Sequence, residues 1–284
     1  MTPLVVRGRV FSGPGPFLMG VVNVTPDSFS DGGRFAQVDP AVAHALRLVS
    51  EGADVLDVGG ESTRPGAPEV PAEEELGRVL PVIERLRALG CDAPISIDTR
   101  KAVVARAAVA SGADMVNDVS ALADPAMAEV VASAGVPVVL MHMRGKPADM
   151  ASRAVYADVV ADVERELSLA LARAVARGIR EDRVVLDPGL GFAKTAAHNV
   201  ALLAALPHLR RLGRPLLVGP SRKRFIGELT GAGVDDRLPG TLAAVAACVL
   251  AGVEFLRVHD VAAARQAAIV AAAIRGASTS AGAR

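Results

Sequence analysis

The sequence contains no tryptophan, one tyrosine and two cysteines, and its basic and acidic residues balance at 31 each. A chain without net charge exerts no long-range attraction on nucleic acid or on an anionic membrane surface. So few aromatic side chains also offer no surface on which nucleic-acid bases could stack. We therefore expect neither nucleic acid nor a membrane as a partner.

Long apolar runs and a leader sequence are also missing. No apolar run reaches the roughly 18 residues that would suggest a membrane span. The opening residues, MTPLVVRGRV, lack the basic region and long apolar stretch of a signal peptide. Cys91 and Cys248 lie far apart without the spacing of a metal site, and Cys248 is expected to be a small core residue. These features predict a cytoplasmic protein.

Hydrophobic residues, in contrast, make up 51% of the 284-residue chain, which is enough for a sizeable core. Short β-branched runs alternate with longer Ala-, Leu- and Arg-rich segments of helical period, a pattern that indicates βα units and a parallel sheet. The predicted strands span residues 17–23, 55–58, 95–98, 115–117, 136–141, 184–187, 216–219 and 254–258. The predicted helices lie near residues 39–51, 72–89, 101–111, 125–134, 155–177, 198–206, 237–252 and 260–275.

Eight consecutive βα units without a linker favour a closed TIM (β/α)₈ barrel over an open doubly wound sheet. A barrel of this kind takes about 250 residues, so we expect one domain over residues 1–284. The strands end in polar or Gly-rich sequence, whereas the helix-to-strand connections are plain Gly turns. Only four of the 31 basic residues are lysines, and all four lie in the polar strand-to-helix loops: Lys101, Lys146, Lys194 and Lys223. Active sites of TIM barrels lie at this face.

Three polar side chains end predicted strands: Asp98 in SIDT, Asn117 in MVND and Asp187 in DPGLGF. A single Asp at such a position often only caps the next helix. In a barrel, however, all three would converge on one mouth. Two carboxylates and an amide suit a flat heterocycle rich in N–H donors, such as a pterin or the edge of a guanine.

Arg257 and His259, in the segment FLRVHD, occupy alternate positions of the last predicted strand and so share one face. The interior of a barrel favours apolar side chains, so two cationic-type groups there require an anion. The loops after the seventh and eighth strands are also the recurrent phosphate site of this fold. The Ser221–Lys223 trio follows the seventh strand and is either surface charge or part of the same site. The sequence therefore predicts a diphosphate site beside the heterocycle.

Two of the strand-to-helix loops, residues 24–37 and 59–71, are rich in Gly, Pro and Ser. Taken alone, such segments are ordinary solvated loops. Gly residues on both sides of Thr63-Arg64 permit a mobile segment, and Arg64 can contact an anion. The second loop could therefore fold over a ligand.

Together these segments resemble the dihydropteroate synthase family. The resemblance covers residues 17–261 through NVTPDSFSDGG, GGESTRPGA, SIDT, DPGLGF, SRK and RVHD, in the order found in the family. It implies a transferase of folate biosynthesis that condenses p-aminobenzoate with 6-hydroxymethyl-7,8-dihydropterin diphosphate to give 7,8-dihydropteroate and pyrophosphate. It also implies Mg²⁺ as the cofactor, a homodimer, and inhibition by sulfonamides, which mimic p-aminobenzoate. In the implied reaction, loops 24–37 and 59–71 would close over a carbocation-like pterin and keep water from it.

The resemblance assigns roles residue by residue, and its expected catalytic residues are Asp98, Lys223, Arg257 and His259. The positions that match the family's pterin site are Asp98, Asn117, Asp187 and Lys223. Those that match the diphosphate site are Asn23, Arg257 and His259, with Asn23 acting through the metal. Those that match the p-aminobenzoate site are Thr63, Arg64, Pro65 and Ser221. One departure is Ala193, where the family usually has Gly; it is tolerable unless the backbone there needs a positive φ.

Two other functions fit part of this pattern. A methyltetrahydrofolate:corrinoid-type pterin methyltransferase would share the Asp and Asn at the strand ends. It has no evident use for the Ser221–Lys223 trio or for the Arg257/His259 pair. A synthase-like protein that binds pterin without turnover is a second alternative, although every matched catalytic position is filled. A turnover assay separates these possibilities.

Overall fold

A barrel of parallel strands surrounded by helices occupies most of the chain in the computed structural model, which describes residues 3–13, 15–25, 38–64 and 66–281. The strands are β1 (Leu4–Val6), β2 (Arg9–Phe11), β3 (Phe17–Asn23), β4 (Val55–Gly59), β5 (Ile95–Asp98), β6 (Met115–Asp118), β7 (Val138–Met141), β8 (Val184–Asp187), β9 (Leu217–Val218) and β10 (Phe255–Val258). The helices are α1 (Val38–Ser50), α2 (Ala72–Ala88), α3 (Ala102–Ala110), α4 (Met127–Ala134), α5 (Val159–Ala176), α6 (Ala196–Ala204), α7 (Leu206–Leu209), α8 (Arg224–Thr230), α9 (Leu238–Leu250) and α10 (Val261–Ala281).

Strands β3 to β10 form a closed ring. They pair in parallel from β3 through β8 in chain order, while β10 lies on the other side of β3 and β9 lies beside β10. Leu186 of β8 forms a parallel bridge with Leu216 just before β9, and its amide donates to the carbonyl of Pro215 at 2.9 Å. The predicted TIM barrel is confirmed.

All eight predicted barrel strands are present, each within two residues of its predicted ends. The helix predictions were less accurate at their ends. Helix α5 begins at Val159, four residues later than predicted, because the carboxylate of Asp158 accepts hydrogen bonds from the amides of Val160 and Ala161. The sequence patterns did not predict the antiparallel hairpin β1–β2 or the short helices α7 and α8.

The hairpin closes the amino-terminal end of the barrel. Its Leu4, Val6 and Phe11 pack against inward-facing residues of the strands: Met19, Val55, Met115, Val139, Val185, Leu217 and Phe255. The Phe11 ring meets that of Phe17 edge-on at 5.0 Å and that of Phe255 at 5.4 Å. Because this end is filled with apolar side chains, polar chemistry is left to the carboxyl-terminal end. Within the described ranges, no helix is both long and apolar enough to cross a bilayer.

Candidate active site

The carboxyl ends of β5 and β10 bring Asp98 and Arg257 into direct contact. Nη2 of Arg257 donates to Oδ2 of Asp98 at 2.7 Å, and Asp98 is buried. Asp98 does not cap the following helix, since the amide of Ala102 at the start of α3 donates to Asp124 instead. The simple capping interpretation of Asp98 is therefore wrong, and its carboxylate points into the mouth of the barrel.

A residue that the sequence patterns missed, Asp57 of β4, lies at the centre of this group. It is fully buried, and its Oδ2 accepts from Nε of Arg257 at 2.6 Å and from Nδ2 of Asn117 at 3.0 Å. The expectation that a bound anion must balance Arg257 therefore needs correction, because Asp57 and Asp98 already do so. The available signal was a lone carboxylate inside the apolar strand VLDVG.

Burial dominates the ionisation of the site. It raises the pKa of Asp98 to about 7 against the effect of Arg257, and Asp57 adds to the rise. It raises the pKa of Asp187 to about 6, opposed by the Gly189 amide that donates to this carboxylate at 2.7 Å. Burial also lowers the pKa of Lys223 to about 8, and Arg257 lowers it further. Strong shifts on several neighbouring groups are typical of functional sites.

Lys223, the residue before α8, lies in a cradle formed by the DPGLGF loop. A Cβ on Gly191 would approach Cδ of Lys223 to 3.1 Å, and Nζ lies 4.3 Å from the centre of the Phe192 ring. Gly189 has φ +69°, and a Cβ there would collide with the carbonyl oxygen of His142. This loop therefore requires glycine where it approaches both the lysine stem and the neighbouring strand end.

Ala193, at the end of the same loop, is the position where a positive φ would disfavour alanine. Ala193 has φ +50°, so the backbone does take a left-handed conformation at the position where the resemblance leads one to expect Gly. This conformation costs a non-Gly residue about 1–2 kcal/mol. The Tyr156 hydroxyl donates to the Ala193 carbonyl at 3.0 Å, and Nζ of Lys194 donates to the Phe192 carbonyl at 2.9 Å. These two contacts hold the loop in place despite the strain.

His259 directly follows β10, and Ser221 follows β9 by three residues. Ser221 Oγ is 2.9 Å from Nδ1 of His259 and accepts from the His259 amide at 3.2 Å. Burial lowers the pKa of His259 to about 3, and Arg257 lowers it further. The imidazole is therefore neutral at neutral pH without ligand. Of the two expected cations, Arg257 and His259, only Arg257 is charged. Asn23 and His259 line an open pocket of about 440 Å³ together with residues of α1.

Comparison with known proteins identifies the family to which the chain belongs. Residues 19–259 match the family model described as pterin binding enzyme. The chain is 46% identical to the dihydropteroate synthase of Synechocystis sp. over 275 residues, which cover 96% of this chain and 95% of that protein. It is 51% identical to the Mycobacterium leprae dihydropteroate synthase over 252 residues, covering 86% and 88% of the two chains. The chain belongs to the dihydropteroate synthase family.

A solved structure of this family extends the comparison to three dimensions. The Xanthomonas albilineans dihydropteroate synthase with 4-aminobenzoic acid superimposes with a TM-score of 0.90 at 53% identity, over 96% of this chain and 98% of that chain. The activity expected from the sequence, that of a dihydropteroate synthase in folate biosynthesis, is confirmed by these comparisons. A corrinoid-type methyltransferase is accordingly not supported.

The loops assigned to the dihydropteroate synthase site are described only in part. Thr63 is half-buried and Arg64 is exposed, in the segment between β4 and α2. Neither side chain bonds to the Asp98–Arg257 group among the described residues. Pro65 lies outside the described residues, as do residues 26–37 of the first predicted loop. The closure of both loops over a ligand therefore stays a prediction.

Proposed function

We propose that the chain condenses p-aminobenzoate with 6-hydroxymethyl-7,8-dihydropterin diphosphate by a dissociative route. The bond between the pterin methylene carbon and the diphosphate oxygen breaks first. The aniline nitrogen then attacks the methylene carbon and loses a proton. The observation that carries this proposal is the Asp98–Arg257 contact at 2.7 Å. It sets an anion for a developing pterin cation beside a cation for the departing diphosphate.

The pterin end of the site follows from the buried carboxylates. Asp187 would accept hydrogen bonds from the edge of the heterocycle, and Asn117 would donate to that edge. Lys223 would donate to a ring atom. Asp98 would stabilise the positive charge that spreads into the ring as the bond breaks. Since Asp57 already fixes Arg257 and Asn117, these groups need little rearrangement during the reaction.

The diphosphate end follows from Arg257, His259 and Ser221. Asp57 and Asp98 take Nε and Nη2 of Arg257, which leaves its Nη1 group for the anion. The neutral His259 would donate one hydrogen bond, and an adjacent diphosphate would raise the pKa of His259 from its low value. These contacts stabilise charge on the leaving group, so bond breaking is favoured.

Asn23 is the residue that would hold Mg²⁺. Its side chain has no hydrogen-bond partner in the described ranges, and it lines the same pocket as His259. Mg²⁺ is commonly bound by few protein oxygens together with substrate phosphates and water, so one amide oxygen suits this role. The described residues contain no group of three or more acidic, His or Cys side chains for an all-protein site. Bound Mg²⁺ would neutralise diphosphate charge.

The remaining proposals concern the second substrate and assembly. Thr63, Arg64, Pro65 and Ser221 would bind p-aminobenzoate, and sulfonamides would compete with it there. A homodimer is supported by exposed apolar side chains on two neighbouring outer helices: Leu250 of α9 and Ile269, Val270 and Ile274 of α10. Sedimentation at several concentrations measures the assembly. The cytoplasmic location remains a prediction.

Release of pyrophosphate tests the proposed function. With p-aminobenzoate, the pterin diphosphate and Mg²⁺ all present, we expect steady release and a matching yield of 7,8-dihydropteroate. Omitting p-aminobenzoate should abolish formation of dihydropteroate, and a chelator should slow the reaction. Tight pterin binding without release of pyrophosphate would instead identify a binding protein without turnover.

The pH dependence of kcat/KM for the pterin substrate should be bell-shaped, with limits near pH 7 and pH 8. Asp98 has a raised pKa of about 7, so it loses its charge, and activity falls, as the pH drops below that value. Lys223 has a lowered pKa of about 8, so its ammonium is lost as the pH rises above that value. Pyrophosphate binding over the same range controls for ionisation of the diphosphate. An acid limit near pH 4 would contradict the role of Asp98.

A further inference from the structure

Glu61 is a buried carboxylate that the reaction described above does not use. It follows β4 by two residues, and its side chain is 4% exposed. Oε1 accepts from the amide of Val70 at 3.0 Å. Nη2 of Arg100 donates to both carboxylate oxygens at 3.0 Å, and Nζ of Lys101 donates to Oε2 at 3.0 Å. Each oxygen therefore has at least two donors.

These contacts close the neck of one functional loop. Glu61 and Val70 bracket residues 62–69, the segment that carries Thr63 and Arg64, and their hydrogen bond joins the two ends of that segment. Arg100 and Lys101 directly follow Asp98 and Thr99 at the end of β5. The neck of the loop is thus fixed to the chain that immediately follows Asp98.

Beyond its neck, the described residues of the loop have few contacts with the rest of the chain that fix its position. Among the described residues, the amide of Gly66 donates to the carbonyl of Pro147 at 2.9 Å, and the amide of Arg64 is 3.5 Å from Oγ of Ser62. Pro147 follows β7, so the loop extends from the end of β4 past the ends of β5 and β6. The neck is therefore the part of the loop from which the position of Thr63 and Arg64 is set.

The chemistry of the neck favours a positioning role over a purely stabilising one. Lys101 also pairs with Glu75 of α2, a fully buried carboxylate 2.6 Å away, so two carboxylates face two cations. Burial of such a group removes four charges from water, and well-packed apolar side chains of similar volume often stabilise a protein as much or more. The charged group instead specifies geometry, because its hydrogen bonds fix the relative position of the segments that they join.

We propose that Glu61 is the positioning residue that holds loop 62–69 over the mouth for p-aminobenzoate, and that it couples this loop to the segment after Asp98. The proposal rests on the proposed function for the identity of the ligand. It adds Glu61, Arg100 and Lys101 to the residues on which that ligand depends. It also gives a role to Lys101, one of the four lysines in the polar loops.

Glu61→Ala, Glu61→Gln and the control Glu75→Gln test the proposal. Glu61→Ala should raise KM for p-aminobenzoate at least about tenfold, with KM for the pterin substrate within about twofold of wild type. Glu61→Gln keeps an acceptor for the Val70 amide, so its KM should lie between those of Glu61→Ala and wild type. Glu75→Gln weakens the same ion cluster without touching the loop. It should lower the melting temperature and leave KM for p-aminobenzoate unchanged.

Hydrogen exchange of the amides in residues 62–70 gives a readout that does not depend on activity. In Glu61→Ala this exchange should quicken while the barrel strands stay protected, and in Glu75→Gln it should match wild type. The proposal is overturned by unchanged exchange and unchanged KM in Glu61→Ala, or by an equal rise in KM in Glu75→Gln. A wild-type chain that released no pyrophosphate would refute the proposed function, while the exchange result would still decide whether Glu61 holds the loop.

Discussion

Arg257→Ala is expected to weaken pyrophosphate binding by at least about tenfold, because a charge-assisted hydrogen bond contributes about 1.5–3 kcal/mol. The same change should lower the free energy of unfolding by about 3–5 kcal/mol, the usual cost of leaving a buried partner charge uncompensated. Asp57 is fully buried and bonds to Nε of Arg257 at 2.6 Å, so its carboxylate would lose this partner. Calorimetry with pyrophosphate and denaturant unfolding measure the two effects separately.

A second ion pair in the same barrel provides the matched control. Arg210 bonds at 2.8 Å to Glu254, a buried carboxylate just before β10 and far from the mouth. Arg210→Ala should destabilise the fold in a similar way and leave pyrophosphate affinity unchanged. Adding Asp57→Asn to Arg257→Ala should recover stability, because it removes the carboxylate charge that Arg257→Ala leaves unpaired. It should not recover pyrophosphate affinity, because the guanidinium is still missing. If Arg257→Ala binds pyrophosphate as tightly as wild type, the diphosphate site lies elsewhere.

Local patterns predicted the barrel well because its strands and helices differ in period and in side-chain type. All eight barrel strands follow from short β-branched runs, and the polar residues at their ends identify the functional face. The β1–β2 hairpin was missed since its two strands have three residues each and its turn uses Arg7 at φ +49°, without an Asn-Gly signal. Its stability comes from packing on the end of the barrel, which no local pattern contains.

The site shows the same division. Asp98, Asn117, Asp187, Lys223 and Arg257 are visible because each ends or follows a strand. The group that holds two of them was not predicted, because its partners are remote in sequence: Asp57 pairs with Arg257 across 200 residues and with Asn117 across 60. The charge state of His259 also could not be predicted from the sequence, because burial and the nearby Arg257 lower its pKa. The sequence predicted that these residues converge at one end of the barrel, whereas the contacts that position them required the structure.

Lys223→Arg is expected to reduce kcat/KM for the pterin substrate by about hundredfold while the protein remains folded. Arginine keeps the charge but replaces a compact ammonium on a flexible stem with a wide planar group. The cradle leaves little room for it, because the lysine stem lies against Gly191 and the ammonium lies 4.3 Å from the centre of the Phe192 ring. A guanidinium would have to displace that ring or point away from Asp187. Steady-state kinetics and a thermal unfolding curve measure activity and folding.

Lys146→Arg is the matched control, because Lys146 is an exposed lysine in another loop of the same face. It should leave kcat/KM unchanged. The alkaline limit of the pH profile gives a second check, since arginine does not titrate near pH 8 and the limit assigned to Lys223 should move upward. A Lys223→Arg enzyme within about threefold of wild type, or under about 0.7 kcal/mol, would reject a shape-specific contact with the pterin. Lys223 would then act only through its positive charge.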